Sequence, residues 1–69
     1  MIKLMEVNST PNLEKIIVAF ADTKAEVGTG KSDTDIDGVD FDYTMGSLIY
    51  TADFETALLD SDGNWNWKE

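Results

Sequence analysis

The chain has 69 residues and a formal net charge of −9 at pH 7, and it contains neither cysteine nor histidine. This length allows a single domain that buries about 60% of its unfolded surface. The two missing residue types exclude disulfides and, in practice, a structural zinc site. They also remove the usual general base and the usual nucleophiles, so we expect a non-enzymatic protein without a cofactor. So small a domain is expected to dock on a larger body or to form a homo-oligomer.

The acidic residues are concentrated in the second half of the chain. Residues 1–31 contain four acids and four lysines, whereas residues 32–67 contain nine acids and no base. This excess of negative charge disfavours direct contact with nucleic acid, because phosphate binding needs cations. It predicts either a solubilising surface or an acidic face for a basic partner.

Two further exclusions concern the membrane and secretion. No apolar run approaches the roughly 18 residues that a membrane span requires. Glu6 interrupts the segment in which a signal peptide would keep its apolar region, so we expect no signal peptide.

The first half of the chain predicts two elements, of which the second is ambiguous. Residues 1–7 alternate imperfectly and predict a strand. The continuous β-branched run from Ile16 to Phe20 favours a strand over 15–21, and such a run is typical of a strand covered on both faces. Apolar residues at helical spacing, with Pro11 at the start and Gly28 at the end, favour instead a helix near residues 11–26.

A glycine-rich and aspartate-rich loop covers residues 28–38. Its Gly-Lys-Ser sequence lacks the first glycine of a phosphate loop, because position 25 is alanine. Asp33, Asp35 and Asp37 have the spacing of the first calcium ligands in a calcium loop, which makes them the metal candidates of this sequence. Position 12 of that loop is Thr44 instead of glutamate, and this favours a solvated turn.

The segment after Gly38 has the period of a strand. Val39, Phe41 and Tyr43 alternate with Asp40 and Asp42. We interpret it as an edge strand whose outward charges block aggregation.

Residues 46–67 predict a β-meander. Residues 47–51 and 56–59 are strand-favouring runs, and the sequence from Asp60 to Gly63 has the chemistry of a tight turn. Trp65 and Trp67 then lie on one face of a last strand.

These elements together predict a mainly β fold. We expect residues 1–69 to form one small domain with an antiparallel sheet or meander of about four to six short strands. The alternative is an α+β domain with one helix near residues 11–26.

The meander also resembles a recurrent pattern in tailed-phage proteins. The pattern is G-S-x-x-Y-T-A-D-x-x-x-A-x-L-D-S-x-G-x-W, and it is formed here by Gly46, Ser47, Tyr50, Thr51, Ala52, Asp53, Ala57, Leu59, Asp60, Ser61, Gly63 and Trp65. It is similar to small modules of phage head-fibre, decoration and tail-associated proteins. The resemblance implies a phage or prophage structural protein that acts through protein–protein contacts with a capsid or tail component. It also implies a location in the host cytoplasm, in the virion or in both.

Two other functions fit the same sequence. The nine acids without a base suggest an acidic inhibitor that imitates DNA and binds a basic host nuclease. A plain interaction module of a mobile element remains a third hypothesis. The candidates for partner contact are Asp40, Asp42, Tyr43, Trp65 and Trp67.

Overall fold

A computed structural model describes residues 1–68 and contains six strands in one sheet. The strands are β1 (Ile2–Ser9), β2 (Lys15–Ala21), β3 (Ile36–Asp37), β4 (Leu48–Thr51), β5 (Thr56–Leu59) and β6 (Trp65–Lys68). Their order across the sheet is β3-β1-β2-β4-β5-β6. Two single-turn 3-10 helices, Lys24–Glu26 and Lys31–Asp33, are the helical elements among these residues.

The predicted mainly β fold is confirmed, and the sheet is mixed. Strands β4, β5 and β6 form an antiparallel meander, and β1 pairs with β2 in the same manner. The pairs β1–β3 and β2–β4 are parallel. The strand predicted over 15–21 is confirmed, and the alternative helix near residues 11–26 is wrong, because β2 occupies its centre as an inner strand of the sheet.

Residues 22–47, here called the covering segment, connect β2 to β4 and pack over one face of the sheet. The buried Val27 and Tyr43 and the partly buried Phe41 of this segment contact the core. Opposite them lie the inward side chains of the strands. The buried apolar residues of the strands are Ile2, Ile17, Ala19, Ala21, Ile36, Ile49, Ala57, Leu59 and Trp65. One face of the sheet is therefore covered by the protein's own chain.

The edge strand predicted over residues 39–43 is wrong. This stretch is irregular, and β3 ends before it, at Asp37. Val39, Phe41 and Tyr43 nevertheless face inward and pack on the core. An irregular segment that lies over a sheet alternates between inward and outward side chains as a strand does, and the sequence pattern is the same in both cases.

Ser47 joins the covering segment to the centre of the sheet. Its side chain is fully buried, accepts a hydrogen bond from the backbone N–H of Ile17 at 3.1 Å, and donates one to the carbonyl of Thr44 at 2.9 Å. The hydroxyl satisfies a β2 donor at a point just before β4 begins. A buried donor that loses its partner costs free energy, so this serine has a structural role.

The turn predicted from Asp60 to Gly63 is present. The carboxylate of Asp60 accepts hydrogen bonds from the backbone N–H groups of Asp62 and Asn64, each at 2.9 Å, and Gly63 has a φ of 81°. The side chain of Asn66 donates to the same carboxylate at 2.6 Å. These bonds hold the pKa of Asp60 below its ordinary value, with the bond from Asn64 contributing most.

No helix within residues 1–68 is long and apolar enough to cross a membrane.

We predict that Ser47→Ala lowers the free energy of unfolding by about 1–3 kcal/mol, because it leaves the buried N–H of Ile17 without its partner. Urea denaturation followed by tryptophan fluorescence measures the change. Ser61→Ala is the matched control, since Ser61 lies exposed in the β5–β6 turn, and it should change stability by less than about 0.5 kcal/mol. Equal effects of the two substitutions would contradict the role of Ser47.

Candidate interaction surfaces

The aromatic candidates for partner contact lie on the covered side of the sheet. Tyr43 and Trp65 are each only 6% exposed, and their ring centroids are 6.3 Å apart. The indole N–H of Trp65 donates to the hydroxyl of Thr34 at 2.9 Å. Trp67 faces the same side and is partly buried, with the ammonium of Lys24 4.9 Å from its ring. The rings of Tyr43 and Trp65 therefore serve the core, and Trp67 keeps some surface.

The acidic candidates Asp40 and Asp42 are both exposed, but they differ in their contacts. The ammonium of Lys31 donates to the Asp42 carboxylate at 2.8 Å and to the carbonyl of Tyr43 at 2.9 Å. The hydrogen bond from Lys31 lowers the pKa of the Asp42 carboxyl. Burial, and secondarily the Asp42 charge, raises the pKa of the Tyr43 phenol. Lys31 thus links the 3-10 turn in which it lies to residues 42–43. Asp40 is exposed and lacks a comparable bond within residues 1–68.

The Gly-Lys-Ser sequence does not form a phosphate loop. Lys31 begins a single-turn helix and directs its ammonium to Asp42 and Tyr43. A phosphate loop would need a helix of several turns at this point. This agrees with the sequence-based argument that residues 28–32 are a connection.

The three metal candidates are not brought together. Asp33 ends a 3-10 turn and accepts a hydrogen bond from the hydroxyl of Thr29 at 3.2 Å, whereas Asp37 lies in β3 opposite Lys3. Within residues 1–68 no three acidic side chains are close enough to share a metal ion. The spacing of Asp33, Asp35 and Asp37 suggested a calcium loop. In the structure these residues connect a 3-10 turn to the edge strand β3.

The outer surface of the covering segment is acidic. The segment contains seven acids and two lysines. The acids are Asp22, Glu26, Asp33, Asp35, Asp37, Asp40 and Asp42. All seven are exposed, and all except Asp37, which lies at the edge of the sheet, make this side of the molecule predominantly negative.

Within residues 1–68 no layer of chain lies over the other face of the sheet, here called the open face. The registers of the strands place six apolar side chains on it, at least partly exposed. They are Ile16, Val18, Phe20, Leu48, Tyr50 and Leu58. Charged residues of this face lie toward its margins. They are Lys3, Glu6, Asp37, Lys68 and Asp60, whose carboxylate is bonded to the Asn66 side chain of this face. Two lysines and three acids give the open face a net charge of −1, whereas the chain carries −9.

A third surface feature is the loop between β4 and β5. Phe54 is 98% exposed there and has a φ of 66°, a region that side chains other than glycine adopt at a cost. The loop is held by several hydrogen bonds around Thr51. The Thr51 N–H donates to the carbonyl of Glu55 at 2.9 Å, and the Thr51 hydroxyl accepts from the N–H of Glu55 at 3.1 Å and donates to Asp53. Phe54 is therefore displayed on a well-bonded turn.

Sequence reasoning did not find the open face or Phe54. The available signal for the open face was the continuous apolar run of β2, which predicted that both faces of this strand are covered. The fold covers one of them within the protomer. For Phe54 the signal was an aromatic residue between two acids in a predicted corner, where a polar residue is usual.

Comparison with known proteins adds no relative: no family model, no curated protein and no solved structure matches the chain.

We predict opposite effects for two isosteric substitutions in the acidic segment. Both Asp42→Asn and Asp40→Asn remove one negative charge, but only Asp42→Asn removes the ion pair with Lys31. At pH 7 the urea midpoint should fall for Asp42→Asn and should stay equal or rise for Asp40→Asn.

The pH dependence follows from the lowered pKa of Asp42. A carboxyl whose pKa is lower in the folded state stabilises the protein above its unfolded pKa of about 4, and this contribution is lost as the pH falls through the folded value. The difference between the two variants should therefore shrink as the pH falls below about 4. A constant difference from pH 7 to the acid limit of folding would contradict the ion pair.

Proposed function

We propose that this chain is a non-enzymatic structural or decoration-type protein of a phage or prophage virion that acts through protein–protein contacts. The observation that carries the proposal is the rigid display of Phe54. The resemblance of residues 46–67 to phage modules supports its placement in a virion. The exposed position of most carboxylates and the lack of histidine, cysteine and arginine support a non-enzymatic role.

The conformation of Phe54 is informative because folding alone would not select it. A phenylalanine at positive φ is strained, and an almost completely exposed ring gains nothing from burial. Glycine would form the same turn more easily. Strain of this kind is common at residues kept for a contact with another molecule. Leu13 has the same strain, but Phe54 adds a ring of the type that anchors protein interfaces.

The chemistry around Phe54 defines the partner that we propose. Aromatic side chains that enter a pocket supply much of the energy of a protein interface. Asp53 and Glu55 precede and follow Phe54 in the chain. The ammonium of Lys24 lies 3.6 Å from the Glu55 carboxylate and neutralises the negative charge of this loop only in part. The matching surface on a capsid or tail protein is an apolar pocket with a basic rim.

We predict that Phe54→Gly abolishes or strongly weakens this contact without weakening the fold. The free energy of unfolding should stay unchanged or rise by up to about 1 kcal/mol, because glycine relieves the positive φ. Virions assembled with the variant should contain little of it by mass spectrometry, and purified capsid or tail proteins should not bind it.

Leu13→Gly is the matched control for this experiment. Leu13 is also exposed, at 89%, and also has a positive φ, of 64°, but it lies in the β1–β2 loop at the opposite end of β2. This variant should enter virions as the unsubstituted protein does. Normal incorporation of Phe54→Gly, or the absence of the unsubstituted protein from virions, would contradict the proposal.

The acidic covering segment favours a second candidate function, the inhibition of a basic host nuclease by imitation of DNA. Its seven exposed acids lie on one side of the molecule, away from the open face, apart from Asp37 at the sheet edge. Inhibition of a nuclease should then be strongest at low salt and should weaken as salt screens the charges. The test is a DNA-competition assay at low and moderate ionic strength, and no inhibition at low salt would eliminate this candidate.

A further inference from the structure

The strand β2 has the sequence of a strand buried on both faces, but the protomer buries only one. Ile17, Ala19 and Ala21 point into the core, whereas Ile16, Val18 and Phe20 point to the open face. Inner strands with a continuous apolar run are usually covered on both sides. The open face therefore has the composition of an interior surface that lacks its cover.

The apolar side chains of the open face form two adjacent rows that cross the strands. The first row consists of Asp37, Lys3, Phe20, Tyr50, Thr56 and Lys68. The second row consists of Glu6, Val18, Leu48, Leu58 and Asn66. Each row has a charged residue on β1 and apolar residues beside it on β2 and β4. The β1 charges have opposite signs, and Asp37 extends the first row beyond Lys3 at the edge of the sheet.

We infer that the open face is covered by a second copy of this chain in a face-to-face homodimer. A two-fold axis that runs across the strands, between the two rows, lays each row on the other row of the second copy. Lys3 then faces Glu6 of the second copy, and the pair occurs twice. Phe20 faces Val18 of the second copy, and Tyr50 faces Leu48. The surface is thus complementary to itself in charge and in polarity, as a two-fold interface requires.

The charge distribution of the chain permits this pairing. The open face is nearly neutral, and the acidic covering segments lie on the outer sides of the pair. Both sheets, which pack about 10 Å apart, separate the two segments. At physiological ionic strength charges are screened over about 8 Å. The repulsion between two chains of charge −9 is therefore reduced where the copies meet.

The dimensions of the molecule allow a specific dimer of modest affinity. The molecule extends 32 × 22 × 19 Å, so its broadest side covers at most about 700 Å², and two copies bury at most about 1,400 Å². Specific interfaces begin at about 1,200 Å² in total. We expect a dissociation constant in the micromolar range, on the order of the weaker interfaces of this size.

Sedimentation equilibrium of the purified chain, from about 1 µM to about 1 mM, tests the inference. The unsubstituted protein should pass from monomer to dimer over this range. A monomer over the whole range would overturn the inference.

Leu58→Lys should raise the dissociation constant at least tenfold, because it buries a cation beside the apolar side chain of Leu48 in the second row. Leu58 is already 47% exposed in the protomer, so the fold should survive, and circular dichroism checks this. Leu13→Lys is the matched control, since it adds the same charge at an exposed position outside the face. Equal dissociation constants for the two variants would overturn the use of the open face.

Charge reversal tests the position of the two-fold axis. Lys3→Glu and Glu6→Lys should each weaken the dimer, and the double variant should restore at least part of the affinity. No restoration would overturn the pairing of Lys3 with Glu6. The inference is separate from the proposed function, because Phe54→Gly should dimerise normally and Leu58→Lys should retain the contact made by Phe54.

Discussion

The parallel pairing of β2 with β4 is the constraint on which the rest of the structure depends. Two parallel neighbours cannot be joined by a hairpin, and the chain must cross from one end of the sheet to the other. Here that crossing takes the 26 residues of the covering segment, more than a third of the chain. The described part of this segment forms no long helix. It covers the sheet with turns and inward-facing aromatic residues, and it adds the two-residue strand β3 to the edge of the sheet.

A chain of this length has one such segment, and this divides the molecule into two unlike sides. The covered side carries the core and, on its outer surface, all the acids of the covering segment except Asp37. The open side is apolar in the middle and nearly neutral overall. We expect the acidic side to favour solubility, and we propose that the apolar side makes the contact between two copies. The Phe54 loop adds a third surface, which leaves both sides available.

Local chemistry was sufficient to predict most of the strands. The β-branched run of β2, the short run of β5 and the Asp60–Gly63 turn depend on neighbouring residues, and the sequence pattern contains that information. The common face of Trp65 and Trp67 follows from strand geometry in the same way. These predictions concern single elements, and the structure agrees with them.

Long-range features could not be predicted from the sequence. Nothing near β2 specifies that β4 is its parallel neighbour, and the inward side chains of residues 39–43 have the same period in an irregular cover as in a strand. The spacing of Asp33, Asp35 and Asp37 suggested a metal loop, but the pairing of β3 with β1 directs these residues elsewhere. Phe54 is exposed because no other described segment covers the β4–β5 loop, and the strand order determines which loops are covered.

The covering segment protects one face of the sheet and leaves the other face open in the protomer, and the two-sided character of the molecule follows from this. Hydroxyl-radical labelling with mass spectrometry, at a protein concentration far below that of dimer formation, measures this directly at two tyrosines. Tyr50 on the open face should be labelled readily, and Tyr43 under the covering segment should be protected. Equal labelling of Tyr43 and Tyr50, or protection of Tyr50 in the monomer, would contradict the account.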